Sequence, residues 1–334
     1  MQLATDSCAK KTRMTPGQFF LKHNTLIIFF ILLIISSLAS PSFLTKQNVF
    51  NVLRQQAPIV VMALGLLLVL LTGGIDLSAG SIAAVGGMLI AMMVNKVGNT
   101  VGSLFLSVIV MLVLGVIIGL IMGVLITKVK MPAFITTLAF MTIGRGAAYM
   151  FTSGQPVRLN KELPGALWLI NFGSKTSPAL GIPWAVIVYA VIIAIFAIVM
   201  KYTSFGRLII ASGSNAEAVR LSGVSVNKYI TSAYMICSCM AVLGGILITA
   251  RAAIGTPSAA DGYEMDAIAG CVIGGTSLSG GKGKVGLTVL GVFTLAMIGN
   301  IMNLLSIASY PQQVIKGLII IGAVILQNLS SKKE

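Results

Sequence analysis

Long apolar runs recur along this sequence from one end to the other, and they constrain the fold more than any other feature. A helix needs about 20 consecutive apolar residues to cross a bilayer, and ten segments here approach that length. Hydrophobic residues make up 57% of the chain and charged residues only 9%, against roughly 25% charged in an ordinary soluble domain. Because helices satisfy their own backbone hydrogen bonds in lipid, the sequence predicts an all-α, polytopic membrane helix bundle.

The predicted bundle has about ten transmembrane helices, some of them short or broken at glycine-rich motifs. A tail at 1–24, a transmembrane domain at 25–329 and a second tail at 330–334 make up the chain. The first apolar run is followed by "SSLAS" and imitates a cleavable signal peptide, but we interpret it as an uncleaved first helix. The ten helices are placed at about 25–40, 57–72, 81–94, 101–127, 132–152, 183–200, 229–250, 266–278, 285–306 and 312–329.

Basic residues give the chain a formal net charge of +15, and they lie in short segments between the apolar runs. We interpret them as a topology signal and not as a nucleic-acid patch, because short cytoplasmic loops of membrane proteins collect Lys and Arg. With the N-terminus inside, fourteen basic residues fall on the cytoplasmic side and seven on the other. This excess predicts that both termini and a long loop at 201–228 are cytoplasmic, and that a second long loop at 153–182 is outside.

The predicted outer loop is rich in proline and has one tryptophan within it and one just after it. Pro156 and Pro164 lie within it, together with Trp168, and Trp184 follows just after it. Proline interrupts regular structure, and tryptophan favours the membrane–water interface. We therefore predict an irregular segment with interfacial aromatic anchors, which either receives a partner from outside or caps the bundle.

The sequence offers no pattern for an enzyme or metal site. Its cysteines, Cys8, Cys237, Cys239 and Cys271, have no metal-ligating companions, since His23 is the sole histidine. We interpret the cysteines as free thiols and small packing residues. No segment carries paired carboxylates for acid–base chemistry, so no catalytic residue, no bound cofactor and no metal are predicted.

The stretch "GGTSLSGGKGK" looks like a phosphate-binding loop at first sight. That loop needs Gly, four residues, Gly, Lys and then Ser or Thr. Counting back from Gly281 and Lys282 puts Thr276 where the first Gly belongs, and Gly283 follows the lysine. The motif fails, so an ATPase that served this protein would be a separate chain.

Two glycine-rich stretches resemble each other. Gly73–Gly80 reads GGIDLSAG and Gly274–Gly281 reads GGTSLSGG, with five identities in eight positions. Such similarity arises either by chance or by internal duplication, a plan that places broken helices near the substrate path of transporters. Irregular backbone at membrane depth must be buried in protein or face a water-filled cavity. The candidate residues for a helix break or a translocation path are Gly73, Gly74, Asp76, Ser78, Arg145, Gly274, Gly275 and Ser279.

Asp76 is the one acid among eight with apolar membrane segments close on both sides. It can cap a helix by accepting backbone N–H bonds from Ser78 and Ala79, pair with a buried cation such as Arg145, or contact substrate. Capping or pairing is favoured over substrate contact. Arg145 is interpreted in the same way, as structural or as a polar group on a path. A single acid with no bundle histidine also disfavours ion-coupled transport.

The loop at 201–228 contains the best short helix outside the apolar runs. Ser214 or Asn215 can cap a helix over Ala216–Leu221, with Glu217 in its first turn and Gly223 as its terminator. Such a helix is either a docking element for a motor subunit or a plain interfacial connector. The residues alone leave these two alternatives open.

Four stretches follow one another along the chain: "TGGIDLSAGS", "PAFITTLAFMTIGRGAAYMFTSGQPV", "FGRLIIASGSNAEAVRLSGV" and "GYEMDAIAGCVIGGTSLSGGKG". In this order they resemble a known family, the permease subunits of ribose, galactose and arabinose-type ATP-binding-cassette importers. The resemblance covers 48–327, and Met265 and Cys271 are mild departures from the family pattern.

The resemblance implies a permease without its own ATPase site, in the bacterial inner membrane and surrounded by lipid. It implies a homodimer, a cytoplasmic ATPase that binds ATP, a periplasmic solute-binding protein and a small neutral sugar as cargo. The ATPase-coupling helix then comprises Ser214, Asn215, Ala216, Glu217, Ala218, Arg220, Ser222 and Gly223.

Two alternatives to this function stay open at the level of sequence. The first keeps the fold and changes the cargo to a furanose-like signal molecule, a nucleoside or a branched-chain amino acid. The second is a stand-alone secondary carrier that needs no ATPase.

Overall fold

The computed structural model describes residues 24–331 of the chain. The predicted tail at 1–24, with Cys8 and His23, therefore lies almost wholly outside the described residues, as do residues 332–334. The described part consists of thirteen helices and one pair of two-residue strands. The predicted all-α bundle is confirmed.

The helices follow the chain with short connections. They are α1 (Asn24–Ala39), α2 (Lys46–Leu71), α3 (Ala79–Val97), α4 (Val101–Thr127), α5 (Ala133–Met150), α6 (Pro164–Ser174), α7 (Trp184–Tyr202), α8 (Ser204–Ser214), α9 (Ala216–Leu221), α10 (Val226–Ala252), α11 (Tyr263–Ile273), α12 (Val285–Leu304) and α13 (Ser309–Ser331), with β1 (Val157–Arg158) between α5 and α6 and β2 (Ile254–Gly255) between α10 and α11.

Six of the described helices are long and apolar enough to cross a membrane: α2, α3, α4, α7, α10 and α12. The other four predicted segments overlap α1, α5, α11 and α13. The multi-pass character is thus confirmed, and the number of about ten spans stays a prediction. The boundaries of two segments differ most. Helix α2 starts at Lys46, eleven residues before the predicted start at 57. Helix α11 has only 11 residues and ends at Ile273 instead of continuing to Leu278.

Helices α2 and α10 form the centre of the bundle. Every residue of α2 from Ala57 to Leu71 is buried. The axes approach closely where glycine replaces a side chain: a Cβ atom on Gly65 would lie 2.8 Å from the Cα atom of Cys237. Small residues let helix backbones pack in this way in lipid, where no hydrophobic force drives them together.

Helix α4 packs on α10 through glycines that recur every fourth residue. Cβ atoms on Gly115, Gly119 and Gly123 would each lie within 2.9 Å of atoms of α10. The opposite side of α4 is apolar and exposed, with Leu106 and Ile109 more than half exposed. This is the surface expected of a helix that faces lipid.

The predicted outer loop is more regular than its prolines suggest. It contains α6, and Pro164 stands at the first position of that helix, where its fixed φ and missing N–H are tolerated. Trp168 stacks on Phe172 at 5.4 Å, and β1 pairs with β2. The prediction of an irregular segment was wrong for 164–174, since the proline starts a helix there.

We expect Gly119→Ala to destabilise the protein. The added Cβ atom would overlap the carbonyl oxygen of Tyr234 and lie 2.6 Å from the Cα atom of Met235, and backbone cannot move aside cheaply. Overpacking of this kind costs about 1–3 kcal/mol. The matched control is Gly102→Ala on the same helix, where the nearest atom is 3.8 Å away. Melting temperatures of the purified variants test this, and equal values for the two would contradict it.

Candidate functional site

The chain unwinds inside the bundle between α2 and α3. Helix α2 ends where Gly73 adopts a φ of +79°, with its N–H donating to Leu70 and that of Gly74 donating to Val69. This is a Schellman C-cap, which favours glycine because of the positive φ. Residues 74–78 have no regular structure, and α3 starts at Ala79. The predicted helix break is therefore present at Gly73 and Gly74.

Asp76 lies in this break and is fully buried. Its Oδ1 atom accepts hydrogen bonds from the backbone N–H of Ser78 at 2.8 Å and from the Ser78 hydroxyl at 2.5 Å. Ala79 donates no hydrogen bond to it, so one of the two expected backbone donors is found. The Oδ2 atom has no hydrogen-bond partner among the described residues. Asp76 thus holds the turn that leads into α3.

The rest of the unwound segment is enclosed by neighbouring helices. The carbonyl oxygen of Ile75 accepts a hydrogen bond from Thr137 of α5 at 3.3 Å and one from Tyr234 of α10 at 3.5 Å. Backbone groups that the helix leaves unpaired are therefore met by side chains and not by lipid, as they must be at membrane depth.

Arg145 binds a different part of the chain. Its guanidinium donates to the carbonyl oxygens of Pro257 at 2.8 Å and Ala259 at 2.9 Å, and lies 3.6 Å from a carboxylate oxygen of Asp261. The pairing of Asp76 with Arg145 was a wrong interpretation, because the arginine is engaged by the segment between β2 and α11. Arg145 fastens that segment to α5.

The second glycine-rich stretch also ends a helix. Gly275 adopts a φ of +81°, its N–H donates to Val272, and the N–H of Thr276 donates to Cys271. The C-cap is of the same type as at Gly73, but the left-handed residue is the second glycine of the pair here and the first glycine there. Each stretch ends a helix with a left-handed glycine, but the left-handed position differs by one residue between them. Internal duplication of the two stretches stays a hypothesis.

The starts of α3 and α11 meet inside the bundle. A Cβ atom on Gly80 would overlap a carboxylate oxygen of Glu264 and lie 2.6 Å from the carbonyl oxygen of Ala260. Glu264 is only 6% exposed, and its Oε2 atom has no hydrogen-bond partner among the described residues. Glu264 is not among the predicted site residues, since neither its spacing nor its neighbours in the sequence distinguish it from a surface acid.

At the end of α2, just before the break, α2 meets the end of α8 and the second glycine-rich stretch. The N–H of Gly281 donates to the carbonyl oxygen of Leu71 at 2.9 Å, and a Cβ atom on Gly73 would lie 3.5 Å from the carbonyl oxygen of Ser279. Gly213, at the end of α8, has no room for a side chain against Leu71. The two glycine stretches therefore contact each other and the loop at 201–228.

Helix α9 spans Ala216–Leu221, the range expected from the sequence. Asn215, and not Ser214, is its N-cap, with its side chain accepting from the N–H of Ala218 at 2.9 Å. Gly223 ends it with a φ of +81°. Only Val219 of the helix is buried, so Glu217 and Arg220, which pair at 2.9 Å, lie on an exposed face with Leu221.

The described residues contain no group of three side chains that could hold a metal ion, and Cys237, Cys239 and Cys271 are free thiols. An unwound segment between two longer helices and a short helix that ends at a glycine cap, both inside a membrane bundle, are typical of membrane transport proteins. The fold and the site define the class as a polytopic permease.

The comparisons with known proteins give the family. The chain belongs to the family described as branched-chain amino acid transport system / permease component, whose profile matches residues 48–324. It is 39% identical to the ribose import permease protein RbsC of Escherichia coli K12, over 93% of this chain and 94% of that protein. It is 34% identical to the L-arabinose transport system permease protein AraH of the same strain, over 98% of this chain and 97% of that protein.

The ribose import permease protein RbsC of Bacillus subtilis is 40% identical, over 90% of this chain and 91% of that protein. No solved structure matches the chain. Similarity over nearly the whole length of these relatives confirms the family expected from the four ordered stretches.

We expect Asp76→Ala to lower the melting temperature and Asp76→Asn to preserve most of it. Alanine leaves the buried N–H and hydroxyl of Ser78 without their acceptor, at a cost of about 1–3 kcal/mol, whereas asparagine keeps an acceptor oxygen. Thermal unfolding of the detergent-purified variants measures this. An alanine variant as stable as the wild type would refute the structural role, and a stable asparagine variant that no longer transports would assign Asp76 to the path.

Proposed function

We propose that this chain is the permease subunit of an ATP-binding-cassette importer and that its cargo is a monosaccharide. The observation that carries the proposal is the similarity over more than 90% of the chain to permeases named for ribose and L-arabinose. A neutral sugar also suits the bundle, in which Asp76 and Glu264 are enclosed and Arg145 is engaged by backbone carbonyls. A translocation path lined in this way offers polar contacts to a sugar but no exposed charge that would bind an ion strongly.

The proposed energy source is ATP bound by separate cytoplasmic subunits that dock on α9. Its exposed face, with Glu217, Arg220 and Leu221, gives a capped and rigid docking element. Helix α8 links it to the rest of the permease, because Gly213 at the end of α8 packs on Leu71. A displacement of α9 would therefore be transmitted through α8 to the end of α2 and to the second glycine-rich stretch.

The proposed setting is the bacterial inner membrane, with both termini and α9 in the cytoplasm. The excess of basic residues on that side supports this orientation. In the proposed mechanism two permeases pair, and a periplasmic binding protein delivers the sugar from outside. ATP binding closes the ATPase pair, the coupling helices move the two permeases, and access alternates from outside to inside.

A branched-chain amino acid is the second candidate cargo, since the family takes its description from such systems. Proteoliposomes that contain the permease, its ATPase and its binding protein distinguish the two. We expect ATP-dependent uptake of D-ribose or L-arabinose and none of L-leucine. Leucine uptake would favour the second candidate, and uptake without ATP would overturn the importer mechanism.

We expect Glu217→Lys to reduce co-purification of the ATPase by about tenfold while the permease stays folded. The substitution puts a like charge beside Arg220 on the docking face, and the exposed ion pair that it removes contributes only about 0–1 kcal/mol to stability. The matched control is Glu162→Lys, an equal charge change at an exposed site in the loop at 153–182. Unchanged co-purification of the Glu217 variant would refute docking at α9.

A further inference from the structure

A polar cavity of about 200 Å³ lies far from the docking helix. It is formed by the N-terminal half of α2, the end of α10, the first turn of α11 and the facing parts of α12 and α13. Gln56 on its α2 wall precedes Leu71 by 15 residues, so about 22 Å of helix separates the cavity from the convergence of α2 and α8. The predicted topology places the cavity at the outer end of the bundle.

Side-chain amides dominate the polar part of the lining. Gln55, Gln56, Asn300 and Asn303 all face the cavity, with Arg251 beside them. An amide both donates and accepts hydrogen bonds, as a sugar hydroxyl does, so the two are complementary in several orientations. Gln55, Gln56 and Arg251 make no side-chain hydrogen bond within residues 24–331, which leaves their donors available to a ligand.

The one acid in the lining is already neutralised. Lys316 of α13 lies 2.9 and 3.2 Å from the two carboxylate oxygens of Asp266 on α11. This pair leaves the wall polar without a strong site for a cation. The cavity is smaller than the roughly 300–1,000 Å³ of pockets for drug-sized ligands, so its size suits one small molecule.

We propose that this cavity is a receiving site for a single neutral monosaccharide, held by the amides of Gln55 and Gln56 on α2. The inference rests on the proposed function and adds the place where the permease itself first binds the sugar. Tyr263 and Asp266 put the start of α11 in the cavity wall, and α11 ends at the glycine stretch that contacts Leu71 through Gly281. One short rigid helix therefore joins the site to the end of the bundle where α8 packs.

The test is saturation-transfer NMR of the permease in lipid nanodiscs, with D-ribose as the probe and L-leucine as the comparison ligand. We expect a ribose signal from the wild type and a reduction of about tenfold in affinity for the double variant Q55L/Q56L, because two hydrogen bonds are lost. The matched control is Gln47→Leu, the same change at an exposed site on α2 outside the cavity, which should bind like the wild type. If the double variant fails to fold, Gln55→Leu replaces it, since Gln55 is exposed and its substitution leaves the packing intact.

No ribose signal from the wild type, or equal affinity of the wild type and the cavity variants, overturns the site. A leucine signal that the cavity variants abolish overturns the assignment to a monosaccharide. Uptake by the complete transporter is measured on the same preparations. Normal uptake by both the wild type and the cavity variants refutes the site alone, whereas a wild type that fails to take up sugar with its ATPase and binding protein present refutes the proposed function.

Discussion

Backbone amides at membrane depth must find partners inside the protein, and the structure is organised around one place where the helical pattern stops. Residues 74–77 make no helical hydrogen bonds, although they lie inside a membrane bundle. The Schellman cap at Gly73, the Asp76 carboxylate and the side chains of Thr137 and Tyr234 replace those bonds. The helices around the break are thereby held in position.

Close packing around α2 and α10 brings these hydrogen-bonding groups within reach of the unwound segment. Glycines at the crossings bring backbones together, so that polar groups of one helix reach the unwound segment of another. Lack of space also explains why glycine occupies position 80. Without a side chain there, the start of α11 and the Glu264 carboxylate fit beside α3. A side chain at any of these positions would separate the elements that satisfy one another.

The contact between Leu71, Gly213 and Gly281 connects three parts of the bundle directly. It joins the helix that ends at the break, the helix that leads to α9 and the stretch that follows α11. Helices α3 and α11 begin next to each other in the interior, and the helix before α3 and α11 itself each end at a glycine cap. In the proposed importer, this places the motor-facing helix and the break on one continuous set of contacts.

The sequence by itself determined the features that depend on local pattern. Apolar runs predicted the membrane bundle and glycine pairs predicted the helix breaks. A cap at Ser214 or Asn215, together with Gly223, predicted α9, because composition and capping act over a few residues. Only the tertiary structure decided which distant groups meet. Arg145 reaches Pro257, 112 residues along the chain, and not Asp76, and Glu264 is buried against Gly80. Such contacts follow from how the helices pack against one another, and no local periodicity in the sequence carries that information.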